Sequence, residues 1–198
     1  MDKNEFIRAC RDGGERIAGA LRSLDRVYFA VLYRDCRRAI GDAEAARDLV
    51  QETFIKVWQR CGSFRGDSEL LPWIRTILRR NILDRVRQAR REIVLDEPQL
   101  SQLADAHHLE QAREPPGSPD SELQRGQLAE CFQRCWTGFA RAAPEHALVI
   151  TWIAEDGLTN EDVAALLGRT PGATREFISQ CRKKARVHLA DWYAMAGA

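Results

Sequence analysis

The sequence predicts an all-α protein made of two small helical domains joined by an acidic, proline-rich linker. No stretch shows the alternation of apolar and polar residues that is typical of strands. Apolar residues instead recur at helical spacing through residues 1–91 and again through residues 121–193. Between these segments, residues 93–120 hold four of the seven prolines and many acids, a composition typical of a tether. We therefore expect domains at 1–92 and 121–198.

Glycine-containing breaks divide the first domain into four predicted helices. These helices are expected near residues 3–11, 15–40, 43–60 and 69–91. In the second domain, helices are expected near residues 121–141, 144–156, 160–168 and 171–192. The linker has the pattern of one short helix near residues 99–112.

The net charge of +1 conceals alternating blocks of charge. Residues 73–91 hold seven arginines against one acid, and residues 169–188 hold six basic residues against one acid. The segment between them, residues 93–122, holds seven acids against one arginine. Two basic blocks at helical spacing favour nucleic-acid binding over simply solvated helices.

Composition also indicates a compartment. The 198 residues are 44% hydrophobic and 30% charged, as in soluble globular proteins. No apolar run approaches the length of a membrane span, and the N-terminal stretch "MDKNEFIRACRDGG" lacks the apolar core of a signal peptide. We therefore expect a cytoplasmic protein.

The stretch "GLTNEDVAALLGRTPGATREFISQCRKKARVHL" has the plan of a helix-turn-helix. Thr159 with Asp162 forms a capping-box pattern at the first helix, and Gly168 suits its end. Thr170 can cap the next helix, with Pro171 at its first position. The alternative is a helical hairpin in a protein-binding domain.

A helical wheel divides that second helix into two sides. The side expected to pack against the preceding helices carries Thr174, Ile178, Cys181 and Ala185. The opposite side carries Arg175, Ser179, Arg182, Lys183 and Arg186. Arg175 is the best candidate for a guanine contact, because its guanidinium matches the O6/N7 pair, whereas Arg169 in the turn suits the DNA backbone.

The stretch "RDLVQETFIKVWQR" forms an amphipathic helix whose polar side includes an apolar residue. On that side Ile55 is surrounded by acids and amides, and Trp58 lies at its border. A single exposed isoleucine is common, but an apolar centre with a polar rim is typical of a protein-binding face. The acids would suit a partner rich in arginine.

A polar loop, "SFRGDS", then leads into a long basic helix. An aromatic side chain beside a basic helix suits single-stranded DNA, because an unstacked base needs a ring or a pocket and its phosphates need cations. The alternative for Phe64 is that it anchors the loop in the local core, and without further context that alternative is preferred.

The order of "DLVQETFIKVW", "SFRGDSELLPWIRTILRRNILD" and a C-terminal helix-turn-helix resembles the sigma-70 superfamily. The short length points to its extracytoplasmic-function (ECF, group 4) class, which keeps only regions 2 and 4. The resemblance covers about residues 3–91 and 124–190. It implies an RNA polymerase sigma factor with no catalytic site of its own. Its partners would be the β′ clamp helices and β flap of core polymerase, promoter DNA and an anti-sigma factor.

The resemblance also implies roles for individual residues. Docking on the β′ clamp helices would use Asp48, Gln51, Glu52, Ile55 and Trp58. Binding and opening of the minus-ten element would use Phe64, Arg65, Asp67, Ser68, Arg79, Arg80, Asn81 and Arg87. Reading of the minus-thirty-five element would use Arg169, Thr170, Arg175, Ser179, Arg182, Lys183 and Arg186. The acidic tether would run toward the RNA exit path.

Three residues depart from the family pattern. Pro72 predicts a bend in the first turns of the basic helix, where the family often has a small polar residue. Glu176 and Phe177 stand where the family often has serine and arginine. A glutamate there could accept a hydrogen bond from cytosine or repel phosphate.

The six cysteines include no CxxC pair, so reduced thiols are expected. Cys131, Cys135 and Cys181, with His188, could form a zinc site or a redox switch, but buried thiols packing as hydrophobes are preferred. We therefore expect neither a metal nor a cofactor. His107 and His108 are expected to be solvated in the linker.

Two other functions compete with the sigma-factor interpretation. A stand-alone helix-turn-helix regulator would not need the exposed face around Ile55. A metal- or thiol-regulated enzyme would need an acid–base pair, a nucleophile or a phosphate-binding glycine loop, and the sequence shows no such arrangement.

Overall fold

The computed structural model describes the backbone of residues 1–96 and 122–197, and the side chains of residues 1–92 and 125–197. Within these ranges every regular element is helical, which confirms the all-α prediction. The first elements are α1 (Lys3–Asp12), α2 (Gly14–Ile40), α3 (Ala43–Arg60), a 3-10 turn (Cys61–Ser63) and α4 (Leu70–Asp96). They are followed by α5 (Glu122–Ala142), α6 (Pro144–Ala154), α7 (Asn160–Leu167), α8 (Pro171–His188) and α9 (Ala190–Ala196).

Contacts divide the chain into two compact units, Met1–Arg85 and Val86–Ala198. Helix α4 is described to Asp96, so the first residues of the predicted linker, 93–96, are helical. The rest of that linker, with its short helix near 99–112 and with His107 and His108, lies outside the described residues. The predicted domain limits therefore stay predictions.

The first unit is a bundle in which α2 packs on α1 and α3. Its fully buried side chains come from every helix of the bundle, because each helix carries an apolar stripe at helical spacing. They include Phe6, Leu24, Leu32, Val50, Ile74, Leu78 and Ile82. The chain turns from α2 to α3 at Gly41, which has φ 82°, and Asp42 then caps α3 by accepting a hydrogen bond from the Ala45 amide at 2.7 Å.

The second unit contains the predicted helix-turn-helix, and its capping pattern is confirmed. Thr159 Oγ1 accepts from the Asp162 amide at 3.2 Å, and the Asp162 carboxylate accepts from the Thr159 amide at 2.9 Å. Gly168 ends α7 in the left-handed conformation, with φ 64° and ψ 35°. Thr170 Oγ1 then accepts from the Ala173 amide at 3.3 Å to begin α8.

One predicted helix in this unit is wrong in its length. The pattern predicted a single helix over 171–192, but α8 stops at His188 and α9 begins at Ala190. Leu189 between them leaves the helical conformation, with φ −93° and ψ 10°. Its side chain is buried in a core cluster with Phe139, Ala147 and Ala185. A buried anchor at the break lets the chain bend while keeping its apolar contact.

His146 on α6 is buried in the second unit and lies 5.0 Å from the Phe177 ring on α8. Its Nδ1 has no hydrogen-bond partner among the residues that the structure describes. Burial lowers the pKa of His146, and the nearby Lys184 ammonium lowers it further. Glu145 opposes this change, whereas Arg90 and Arg169 add to it.

We expect this histidine to make the second unit less stable in acid. The pKa of His146 in the folded state lies below the ordinary value of 6.5. The contribution of neutral His146 to the free energy of unfolding is therefore complete above about pH 6.5 and is lost as the pH falls below that value. A single proton gives a slope of at most about 1.4 kcal/mol per pH unit. Thermal unfolding followed from pH 7.5 to 5 should show this loss in the wild type, and His146→Leu should reduce it.

His188→Leu provides the matched control, because His188 is exposed. It should leave the acid sensitivity unchanged. An unaltered pH dependence in His146→Leu would show that another group causes the loss.

Candidate nucleic-acid and protein interfaces

Helix α3 presents the predicted polar side to solvent. Asp48, Gln51 and Glu52 are exposed, while Ile55 and Trp58 are 53% and 54% exposed. The opposite side is buried through Leu49, Val50, Thr53 and Val57. The predicted orientation of this helix is confirmed, and the role of its outer face as a polymerase contact stays a prediction.

A polar bridge joins α3 to α4 beneath that face. Lys56 Nζ lies 2.7 Å from Glu52 Oε1 and donates to Asn81 Oδ1 at 2.7 Å. Asn81 Nδ2 donates to Thr53 Oγ1 at 2.8 Å, and that hydroxyl donates to the Leu49 carbonyl at 2.7 Å. The bridge therefore connects an exposed carboxylate to the buried side of α4.

The bridge corrects one sequence-based expectation. Asn81 was predicted to contact DNA, but its side chain is 3% exposed and both ends of its amide bond to protein. The structure places Asn81 in the contact between α3 and α4, away from a DNA-facing position. The sequence had no local signal for this, because Thr53 lies 28 residues away.

Phe64 also differs from its predicted role. It is 6% exposed, and its ring lies 4.9 Å from Trp73 and 5.9 Å from Phe6, measured between centroids. Its amide closes the 3-10 turn by donating to the Cys61 carbonyl at 3.1 Å. Phe64 thus anchors the loop in the local core, which is the alternative that the sequence analysis left open, and it is not positioned as an exposed base contact.

The anchored loop borders an open cavity of about 390 Å³. This volume lies within the usual range of small-molecule sites. The lining residues are Ser63, Phe64, Arg65, Asp67, Ser68 and Trp73. Three of them, Arg65, Asp67 and Ser68, were predicted and are exposed, as a ligand-facing role requires. Trp73 was missed, although a tryptophan in the first turn of the helix that follows a polar loop is a signal that could have indicated it.

The arginines predicted on α4 are partly engaged with protein. Arg79 and Arg80 are half-buried. In the second unit, Arg87 donates to Glu145 Oε1 from Nη2 at 2.6 Å and from Nε at 3.3 Å. Arg87 was predicted to contact DNA, but in this structure its guanidinium is paired with a carboxylate. The exposed arginines of this helix are Arg85, Arg90 and Arg91.

Helix α8 has the predicted division into two sides. Thr174, Ile178, Cys181 and Ala185 are all buried. Arg175, Ser179, Arg182, Lys183 and Arg186 are all exposed. The cationic side of α8 is therefore available to an anionic partner, with Thr170 exposed at its N-terminus.

Phe177 turns inward from α8 and is 7% exposed. The Arg169 guanidinium lies 4.2 Å above its ring centroid, a cation–π contact that holds the turn against the helix. Of the two departures noted on this helix, only Glu176 faces solvent. Phe177 therefore affects packing and the position of Arg169, whereas Glu176 is the one placed to alter recognition.

The cysteines of the second unit form no metal-ligand cluster among the side chains that the structure describes. Cys131 and Cys181 are buried, and Cys135 is half-buried. Burial raises the pKa of Cys135, and the neighbouring Cys131 adds to the effect. His188 is exposed, with its ring 5.5 Å from Phe139. Burial therefore favours the protonated thiol of Cys135.

No helix in the described ranges is both long enough and apolar enough to cross a bilayer.

Comparisons with known proteins agree with this architecture. The family described as Sigma-70 region 2 matches residues 24–92, which include α3, the loop and most of α4. The chain is 27% identical to the ECF RNA polymerase sigma factor SigL of Mycobacterium tuberculosis over 176 residues, covering 88% of this chain and 91% of that relative. It is 30% identical over 149 residues to a probable RNA polymerase sigma factor, RfaY, of Xanthomonas campestris. That match covers 75% of this chain but only 35% of the Xanthomonas protein.

A solved structure supports the fold. The sigma factor RpoE of Bartonella quintana, crystallised with the anti-sigma factor NepR, matches with a TM-score of 0.50 and 24% identity. The match covers 85% of this chain and 96% of that one. Residues 24–92 therefore match the Sigma-70 region 2 family, and the chain is similar over most of its length to ECF RNA polymerase sigma factors.

Proposed function

We propose that this chain is an RNA polymerase sigma factor that binds core polymerase and directs promoter recognition, melting and transcription initiation. The observation that carries the proposal is the outer face of α3, where Ile55 and Trp58 are each more than half exposed inside the region 2 match. A stand-alone helix-turn-helix regulator has no use for such a face. No catalytic step is assigned to the chain itself, and its place of action is the cytoplasm, where polymerase works.

The α3 face suits docking because it offers apolar surface that a partner can bury and polar groups that can select the partner. Ile55 and Trp58 offer an apolar centre, and Asp48, Gln51 and Glu52 form a polar rim around it. Glu52 is already held by Lys56 at 2.7 Å, so an arginine of the β′ clamp helices would compete for an ordered carboxylate. An ordered carboxylate loses less side-chain entropy when it pairs.

The loop cavity supports capture of one unstacked base of the minus-ten element. Half-buried Trp73, packed on buried Phe64, supplies a rigid aromatic surface, while exposed Arg65, Asp67 and Ser68 supply hydrogen-bonding groups at the rim. A flipped base needs both, since stacking replaces its lost neighbours and polar groups read its edge. The exposed arginines of α4 would hold the adjacent phosphates.

Helix α8 supports reading of the minus-thirty-five element. Its first exposed cation, Arg175, suits a base edge, because the N-terminal residues of a recognition helix reach the major-groove floor. Arg182, Lys183 and Arg186 are exposed further along the helix and suit phosphates. The β flap as a second polymerase contact and an anti-sigma factor as a regulatory partner remain part of the proposal.

The docking face can be tested with one substitution and a matched control. Ile55→Asp should weaken binding to core polymerase by about tenfold or more, because it places a charge at the apolar centre of the contact. Val27→Asp is the control, since Val27 is 54% exposed on α2 and Ile55 is 53% exposed on α3. Affinity for core polymerase would be measured for both, and circular dichroism would verify their helicity. Equal affinities would exclude the α3 face as the docking site.

The two kinds of contact on α8 should respond differently. Arg175→Ala should weaken binding to the preferred upstream element by about 1–3 kcal/mol and relax its sequence preference, as expected for a lost bidentate base contact. Lys183→Ala should weaken binding to all sequences alike and reduce the salt slope by about one unit. Holoenzyme binding to matched and scrambled upstream elements at several salt concentrations measures both effects. A uniform loss in Arg175→Ala would reassign that residue to phosphate.

The cavity should matter for promoter opening rather than for duplex binding. Arg65→Ala removes a group from the cavity rim and should reduce permanganate reactivity of the minus-ten element on duplex promoters. Arg60→Ala is the control, because Arg60 is also exposed but does not line the cavity. A pre-melted bubble should largely restore the Arg65 variant. If the bubble fails to restore it, Arg65 acts in a step other than strand separation.

A further inference from the structure

Two cysteines from different elements meet in the first unit. Cys10 lies near the end of α1, and Cys61 is the first residue of the 3-10 turn that follows α3. Helix α1 contacts this turn, and Cys61 lies close enough to Cys10 to contribute to the raised pKa of the Cys10 thiol. Both are partly accessible, unlike the fully buried Cys36 of the same unit. This pair has no part in the polymerase or DNA contacts proposed above.

The packing around the pair holds α1 and the turn in a fixed register. Phe6 lies one helical turn before Cys10, on the same face of α1, and its ring is 5.9 Å from that of Phe64. Phe64 in turn closes the 3-10 turn through its 3.1 Å hydrogen bond to the Cys61 carbonyl. Helix α1 also lies close to the loop that follows the turn. A Cβ atom added to Gly66 in that loop would lie 3.1 Å from Ile7 Cδ1. Contacts on one side therefore hold the two thiols together.

We propose that Cys10 and Cys61 form a dithiol modification site, which a peroxide oxidises to an intramolecular disulfide. The Cys61 sulfur first attacks one oxygen of the peroxide and becomes a sulfenic acid, while the other oxygen leaves as hydroxide and takes up a proton to form water. The Cys10 sulfur then attacks the Cys61 sulfur, forms the S–S bond and displaces the hydroxyl as a second water. The two thiols lose two electrons and two protons, and one peroxide is reduced to two waters.

The order of these steps follows from the surroundings of each sulfur. Burial, followed by the contact with Cys61, raises the pKa of Cys10 to about 12. Cys10 is therefore a neutral thiol at physiological pH and a weak nucleophile toward peroxide. This assigns the first oxidation to Cys61 and the resolving role to Cys10.

The other neighbouring thiols are less suited to a disulfide. Cys131 and Cys135 lie four residues apart on α5, where both Cα–Cβ bonds point in nearly the same direction along one helix. A disulfide needs Cβ atoms about 3.8 Å apart and a dihedral angle near 90°, which neighbours on one helix do not reach without distortion. Cys10 and Cys61 approach from separate elements and are free of this restriction.

The expected consequence is a covalent link across the first unit. A bond between Cys10 and Cys61 would enclose α2 and α3 in one loop and restrict the unfolded chain. It would also fix the turn that positions Phe64. We therefore expect oxidation to raise the unfolding temperature of the first unit by about 5 °C or more.

The test uses the full chain treated with excess hydrogen peroxide, then alkylated and digested without reduction. Mass spectrometry should find a peptide linking Cys10 to Cys61 and a chain lighter by two hydrogens. In Cys10→Ser the link should vanish and dimedone should trap a sulfenic acid on Cys61. Cys135→Ser is the matched control and should leave both the link and the rise in unfolding temperature unchanged.

Two results would overturn the proposal. One is the recovery of Cys10 and Cys61 as free thiols under excess peroxide, whether or not other cysteines are oxidised. The other is a link found only between two chains. Neither result depends on polymerase or promoter DNA, so the proposed function is not at stake in this experiment.

Discussion

The contact between α3 and α4 depends on one buried amide. Asn81 is satisfied only if Lys56 and Thr53 both reach it, and they come from adjacent turns of α3. Leaving either end of a buried amide without a partner costs about 1–3 kcal/mol, so sliding or rotating α3 against α4 is unfavourable. Because α3 is held in this way, Ile55 and Trp58 face solvent although they would otherwise favour burial. The exposed face of α3 and the position of α4 are thus held by the same hydrogen bonds.

A comparable constraint orients the helix-turn-helix. Phe177 is buried between His146 and the guanidinium of Arg169, so α8 cannot rotate without exposing an aromatic ring. With that side of α8 fixed, Arg175 and the later cations face outward. The same packing keeps Arg169 close to the helix start. Direct use of Arg169 for phosphate binding would therefore compete with its cation–π contact, which is worth roughly 0.5–2 kcal/mol.

Sequence periodicity predicted those features that depend on one helix at a time. The faces of α3 and α8 follow from a rotation of 100° per residue, and the caps at Asp162 and Thr170 follow from neighbouring residues. The contacts that the sequence did not indicate all involve partners that are distant in sequence. The side chain of Asn81 is held by Thr53, which lies 28 residues earlier in the chain. The guanidinium of Arg87 is held by Glu145, which lies 58 residues later. The break at Leu189 likewise reflects burial against α5 and α6 rather than any local signal.

The loop at the cavity shows why a buried aromatic residue and an exposed polar rim must be separate residues. A ring that captures a base from solvent would have to be exposed before binding, at a cost to the folded state that grows with its apolar area. Phe64 avoids that cost, because Phe6 and Trp73 already cover its ring in the free protein. In the proposed function, recognition would be left to Arg65, Asp67 and Ser68, which are exposed and could exchange water for a base edge. The loop can thus be rigid at its floor and adaptable at its rim, and α1 supports that floor from behind, because its Phe6 packs against Phe64.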